Sequence, residues 1–248
     1  MMTDVTLLVV ITGLAVLIGA GLQSATGFGF GMVSAPLLFA ATSPAEAVGL
    51  MMLLGVEING LTLASEGRRP APLGAEARRL VAWGIPGMLG GVAVLRGLDE
   101  TALQVLVTLA VLGSLAVRHL RPARGAPGRW LLPAAGLAAG ALNTATSAPG
   151  PPLVLYLLRR RARPEQVRDT LSVVFLCFSF LGIVALAATG TTEAVPEALW
   201  VAATVPLVLI GHVAGRRGFA RLPAGRYELV LTVTLIVAVT SGLAAVAA

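Results

Sequence analysis

The chain has 248 residues, of which 56% are hydrophobic and only 12% charged, with a formal net charge of +6 and a mean hydropathy of +0.88. A soluble domain carries about 25% charged residues, so a water-soluble globular fold is excluded and an all-α integral membrane protein is expected. The pI of about 11.1 does not point to nucleic acid, because the basic residues are distributed as a membrane protein distributes them.

In chain order, the first apolar run covers 5–25, long enough for the 20 or so residues that a bilayer-spanning helix needs. Met1-Met2-Thr3-Asp4 has no basic region, so this run reads as a span and not as a cleaved signal peptide. A second run, 30–41, is too short to span alone. Runs at 45–65, 80–95 and 101–117 complete the first half. The second half repeats the plan with 130–147, a short run at 150–158, then 170–188, 198–214 and 227–247. About eight to ten membrane segments result. The single Cys177 excludes an intrachain disulfide and CxxC chemistry, and reads as a small filler in a helix.

The basic residues are all arginine, and all but Arg96 lie in four short loops: 68–79, 118–129, 159–168 and 216–226. The other connections carry acids, among them Glu46, Asp99, Glu193 and Glu197. By the positive-inside rule the arginine loops face the cytoplasm and both termini face the periplasm. Anionic headgroups are a sufficient partner for these arginines, so none is assigned to substrate.

A shift of 120 residues lays LQSAT, 22–26, on LNTAT, 142–146, without a gap, and also matches Pro44 to Pro164, Pro86 to Pro206 and Gly91 to Gly211. Residues 1–120 and 121–248 therefore form two repeats. Every arginine-rich loop of one half aligns with an arginine-free loop of the other. The repeats are thus expected in inverted topology, five segments each, with a short hairpin followed by three full spans.

The stretch GLQSATGFGFGMVSAP, 21–36, interrupts an apolar chain with hydroxyls, an amide and alternating glycines. Each Gly costs about 1 kcal/mol relative to Ala in a helix interior, so the first helix ends here and a short one begins near Gly31. In the second half SAPGPP, 147–152, stacks prolines that are excluded from a helix interior and welcome in a first turn. Glycines in membrane helices also serve close packing; duplication of the break in both repeats favours the break. Helix starts below the membrane surface leave N–H groups that hydrocarbon cannot satisfy, so they must line a cavity or be buried in protein. Two such starts, flanked by Gln23, Ser24, Thr26, Gly27, Gly29, Gly31, Asn143, Thr144, Thr146 and Ser147, suit a small anion. No catalytic group, cofactor or metal is called for.

Glu57, the only acid well inside an apolar run, is the proton-coupling candidate, matched in the other repeat by Cys177. Its rival role is a protonated structural hydrogen-bond partner. Asn59, aligned with Ser179, serves the same cavity or bridges helices. His212 and His119 read as interfacial residues beside arginines. Trp83, Trp130, Trp200 and Tyr227 read as belt aromatics.

These two motifs also carry a resemblance. GLQSATGFGFGMVSAPLLF with TSPAEAVG after it, and GALNTATSAPGPPLVLYLL, are similar to the duplicated signature of the TauE/SafE family, also called TSUP, of sulfite and organosulfonate permeases. The chain departs from that pattern in Phe28 and Phe30 among the glycines and in Ser147-Ala148-Pro149 where glycines are frequent. What the resemblance implies is secondary transport of small sulfur-containing anions across a bacterial inner membrane. The residues alone reach an anion-favouring transporter, with a passive anion channel or a permease for a non-sulfur carboxylate as the alternatives. An intramembrane hydrolase is disfavoured, because no intramembrane His–Ser pair is expected and only one acid lies deep. Expected partners are the small anion, the lipid bilayer and protons, with a homodimer left open.

Overall fold

A computed structural model describes residues 2–219 apart from 66, 68, 100, 104, 107, 108, 110, 111, 114–127 and 161. The described elements are α1 Met2–Thr26, α2 Phe30–Ala41, α3 Pro44–Ala64, α4 Gly74–Gly97, α5 Leu131–Thr146, α6 Gly150–Arg159, α7 Pro164–Ala188, a 3-10 turn Thr192–Ala194, and α8 Ala198–Phe219. The expected last run 227–247, its alignment with 105–112, most of loop 118–129, His119, Tyr227 and the C-terminus lie outside the described residues.

Local chemistry sets these boundaries. α1 stops where Gly27 and Gly29 take φ of 82° and 119°, a region that only Gly enters without cost. α5 stops at Ser147, which takes φ 55° without being a glycine. α3 starts on Ser43, whose hydroxyl accepts from Glu46 N at 3.2 Å, with Pro44 in the first turn. α7 likewise starts with Pro164. Five described helices hold a segment long and apolar enough to cross a membrane, in Val9–Thr26, Pro44–Ala64, Gly74–Gly97, Glu165–Ala188 and Ala198–Arg217. α2 and α6, of 12 and 10 residues, reach only about 18 and 15 Å at 1.5 Å per residue, half of a hydrocarbon core of about 30 Å. α5, of 16 residues, is shorter than the 130–147 run suggests, because Arg129 and Trp130 form a turn ahead of Leu131 and the helix ends at Thr146, before Ser147.

The packing is paired. α1 folds against α2 and α5 against α6; α1 packs along α8 and α5 along α4; α3 meets α7 at the centre. Each of these contacts maps onto its partner, or in the central case onto itself, under the shift of 120 residues. Small residues bring the backbones together. A methyl group at Gly140 would overlap the Gly84 carbonyl, one at Gly87 that of Leu137, and one at Gly91 that of Ala141; across the molecule, one at Gly215 would overlap the Gly21 carbonyl and one at Gly211 that of Leu17. Two apolar clusters result, one centred on α1–α3 and the other on α4–α7, and Phe28 in the first break packs against both.

The α4–α5 contact gives a test. Gly140→Ala forces two backbones apart, and overpacking of this kind costs about 1–3 kcal/mol; a lowered unfolding temperature in detergent is expected. Gly90→Ala, where a methyl group meets nothing within 4 Å, should leave that temperature unchanged. Equal behaviour of the two variants contradicts the close backbone contact.

Candidate functional site

The two breaks meet. A methyl group at Gly31 would overlap the Ser147 carbonyl oxygen, so the first turn of α2 lies directly on the end of α5. Between the breaks is a cavity of about 40 Å³ lined by Gln23, Gly29, Phe30, Gly31, Asn59, Asn143, Ser147, Pro149, Gly150 and Ser179, with Met32, Met51, Met52 and Phe175 as apolar wall. This exceeds the space one water needs. Its lining pairs across the repeat: Gln23 with Asn143, Gly29 with Pro149, Phe30 with Gly150, Gly55 with Phe175 and Asn59 with Ser179.

Gln23, buried on α1, spends both ends of its amide on the protein. Its Oε1 accepts from Phe30 N at 3.1 Å and its Nε2 donates to Asn59 Oδ1 at 2.9 Å. It therefore closes the hairpin, tying the first N–H of α2 back to α1 and both to α3. Asn59 is itself fixed by donation from Nδ2 to Gly55 O at 2.7 Å. In the other repeat Asn143 donates to Phe178 O at 3.0 Å, one residue from the position that matches Asn59.

The first turn of α2 leaves further N–H groups at Gly31 and Met32, since a helix start has no intrahelical acceptors for them. α6 offers fewer, because Gly150 is followed by Pro151 and Pro152, which have no N–H. The two positive helix ends expected at the cavity are thus unequal as donors. Ser147 Oγ is buried and unpaired. No lining residue carries a charge, so the polar groups presented are neutral amides, hydroxyls and backbone N–H, a set that binds an anion by hydrogen bonds and helix dipoles without a buried cation.

Half of the expected residues lie elsewhere. Ser24 turns away from the cavity, donating to Ala20 O at 2.8 Å and lying 2.7 Å from His212 Nδ1. Thr26 bonds within the break, accepting from Phe28 N at 3.1 Å. Thr144 donates to Met88 O at 2.7 Å and Thr146 to Leu142 O at 2.8 Å. Gly27 is a packing position, where a methyl group would come within 2.7 Å of Arg168 Cγ. Glu57 is also displaced: Gly55 and Asn59 line the cavity, and a residue two positions from each stands about 160–200° round the helix. Its carboxylate therefore does not line the cavity itself, and its Oε2 is buried without a hydrogen-bond partner.

Two residues gain a place that the sequence reading denies them. His212 is packed within the protein, 2% exposed, with a serine at each ring nitrogen, a His–Ser pairing that the sequence reading does not expect. Arg168, grouped above with lipid-facing loop arginines, donates to Ser24 O at 2.6 Å and so caps the carbonyl end of α1 at the break. The matched LQSAT and LNTAT segments carried no signal for it, since the contact joins residues 144 apart.

Comparison with known proteins gives two findings. A family profile described as "Sulfite exporter TauE/SafE" matches residues 11–241. A curated protein of Cupriavidus necator, "Probable sulfite/organosulfonate exporter TauE", is 30% identical over 225 residues covering 85% of each chain. No solved structure matches.

The amide of Gln23 yields a prediction. Gln23→Leu strands Phe30 N–H and Asn59 Oδ1 in a buried setting at about 1–3 kcal/mol each, so it should lower the unfolding temperature in detergent, with or without ligand. An unfolding temperature equal to that of the unsubstituted chain contradicts the capping role.

Proposed function

The chain belongs to the sulfite exporter TauE/SafE family, and on that premise we propose that it is a secondary transporter of small sulfur oxyanions, sulfite or organosulfonates, held between the two helix breaks. The chain is a multi-pass membrane protein of a transport family, so its work is to move a solute and not to transform one. The observation that carries the site is the meeting of the α2 and α6 starts at one uncharged, polar cavity. The donors we assign to the anion are the free N–H groups of Gly31 and Met32, Gly150 N–H, Asn143, Ser147 and Ser179. Gln23 and Asn59 hold this set in place, and Gly29 permits the turn.

The mechanism that fits is alternating access by two inverted repeats, 1–120 and 121–248, about an axis in the membrane plane. The pairing of α1 with α8 and of α4 with α5 supports it, as does the matched lining of the cavity. The charge pattern supports placing the four arginine loops in the cytoplasm and both termini in the periplasm of an inner-membrane protein. An anion entering gives up hydration and gains several neutral donors at once. Because no fixed cation lines the cavity, the anion is not trapped by a strong ion pair and can leave again.

Asn143→Leu isolates the ligand contact. It removes the amide while leaving Phe178 O its helical partner, so the fold should tolerate it. Binding to the native state raises apparent stability; sulfite and methanesulfonate should stabilise the purified chain and should do so at least about tenfold more weakly for Asn143→Leu and for Ser179→Ala, with proteoliposome flux reduced in parallel. Undiminished binding in both variants contradicts the site. Topology is checked with Gly125→Cys in a Cys177→Ala background: impermeant maleimide should label it only after the cell is opened, and labelling from outside would overturn the inverted arrangement.

A further inference from the structure

The cluster that the transport reading leaves unused is Ser24, His212 and Ser65, where α1, α8 and the C-cap of α3 converge. The hydrogen-bond directions depend on the tautomer of His212. In the one that lets Ser24 Oγ direct its single hydrogen to Ala20 O at 2.8 Å, the 2.7 Å contact with His212 runs from Nδ1–H to Ser24 Oγ. A neutral imidazole with its hydrogen on Nδ1 accepts at Nε2, and Ser65 Oγ, 2.8 Å away, donates there. The result is a directed chain from Ser65 through His212 to Ser24, the neighbour of the cavity-lining Gln23.

The repeat shows that this chain is an addition and not a packing requirement. Under the shift of 120 residues Ser24 maps to Thr144 and His212 to Val92. There Thr144 makes a hydroxyl-to-carbonyl bond to Met88 O at 2.7 Å, and Val92 is an ordinary buried side chain. One repeat therefore joins its break to the neighbouring long helix by a bond that cannot titrate, and the other by a bond that can.

We propose that His212 is a positioning residue for transport, binding the coupling proton at Nε2 and holding Ser24 through Nδ1, so that protonation and anion occupancy of the adjacent cavity favour each other. This rests on the transport reading above. The proton comes from water at the Ser65 end, which the charge pattern makes cytoplasmic. Ser65 turns its hydroxyl from donating to accepting, both ring nitrogens then donate, the bond to Ser24 survives, and one positive charge is added. Among the described residues the other charges acting on the ring are Arg216 on α8 and Arg168 on α7; α1 and α3 present hydroxyls, those of Ser24 and Ser65. A third cation beside two guanidinium groups is favoured by an arriving anion, and by reciprocity anion affinity falls as pH rises through the titration of the ring.

The test uses the full chain with His119→Gln, in which His212 is the one remaining histidine, and methanesulfonate, which stays ionised between about pH 5 and 8, where histidine changes charge. Nitrogen-15 NMR of labelled histidine should show the Nδ1–H tautomer when neutral and a titration midpoint that moves up with methanesulfonate. Affinity read from thermal shifts should weaken with pH by up to about tenfold per unit, the limit for one linked proton, and His212→Gln should bind with no such slope. An Nε2–H tautomer, or a slope that survives His212→Gln, overturns the proposal. Should His212→Gln not fold, Ser65→Ala decides: a shifted midpoint supports the chain of bonds and an unchanged one overturns it. Absence of methanesulfonate binding at every pH would instead sink the transport reading and the coupling with it, while the tautomer and the Ser65 dependence stay readable.

Discussion

Hydrocarbon offers no hydrogen bonds, so a helix that starts inside a membrane must find partners for its first N–H groups within the protein or leave them for a ligand. Gln23 meets this constraint in one step, accepting from Phe30 N while donating to Asn59. That single amide fixes where α2 begins, how α1 and α2 close, and which face of α3 they share. The groups it does not satisfy, at Gly31 and Met32, belong to residues that line the cavity. On the proposed reading, structure and binding draw on one short list of donors.

The rest of the architecture brings a second helix start to the same place. The glycine contacts of α4 with α5 and of α1 with α8 bring backbones together, and this allows the α1–α2 and α5–α6 hairpins to reach each other, with Gly31 against Ser147. The two halves are not equal in chemistry. α2 opens with free donors, whereas α6 opens with prolines. The α1 break is tied by His212 and Arg168, whereas the α5 break is tied by a backbone carbonyl of α4. On the proposed reading an anion is held from both repeats, by N–H groups of α2 on one side and by Asn143, Ser147, Gly150 and Ser179 on the other.

Much of this was legible in the sequence. Hydropathy placed the described segments to within one or two helical turns at each end, glycines and prolines placed both breaks, and the shift of 120 residues named Gln23 with Asn143 and Asn59 with Ser179 as counterparts. What it did not supply was rotation about each helix axis. Neighbours stand about 100° apart on a helix, so Gln23 faces the cavity and Ser24 faces His212, although both are small-to-medium polar residues in one motif. The same geometry separates Glu57 from Gly55 and Asn59. Contacts between distant segments were equally hidden: nothing local marks Arg168 as the cap of α1 or His212 as buried.

The central claim is that a small oxyanion sits between the starts of α2 and α6. Selenite and selenate keep the shape and charge of the sulfur oxyanions and scatter anomalously, so an anomalous difference map of crystals soaked in either reads the position directly. The account predicts a selenium peak bounded by Gly31, Asn143, Gly150 and Ser179. A peak only at Arg168 or at the surface arginines, with the cavity between the breaks empty, would contradict it.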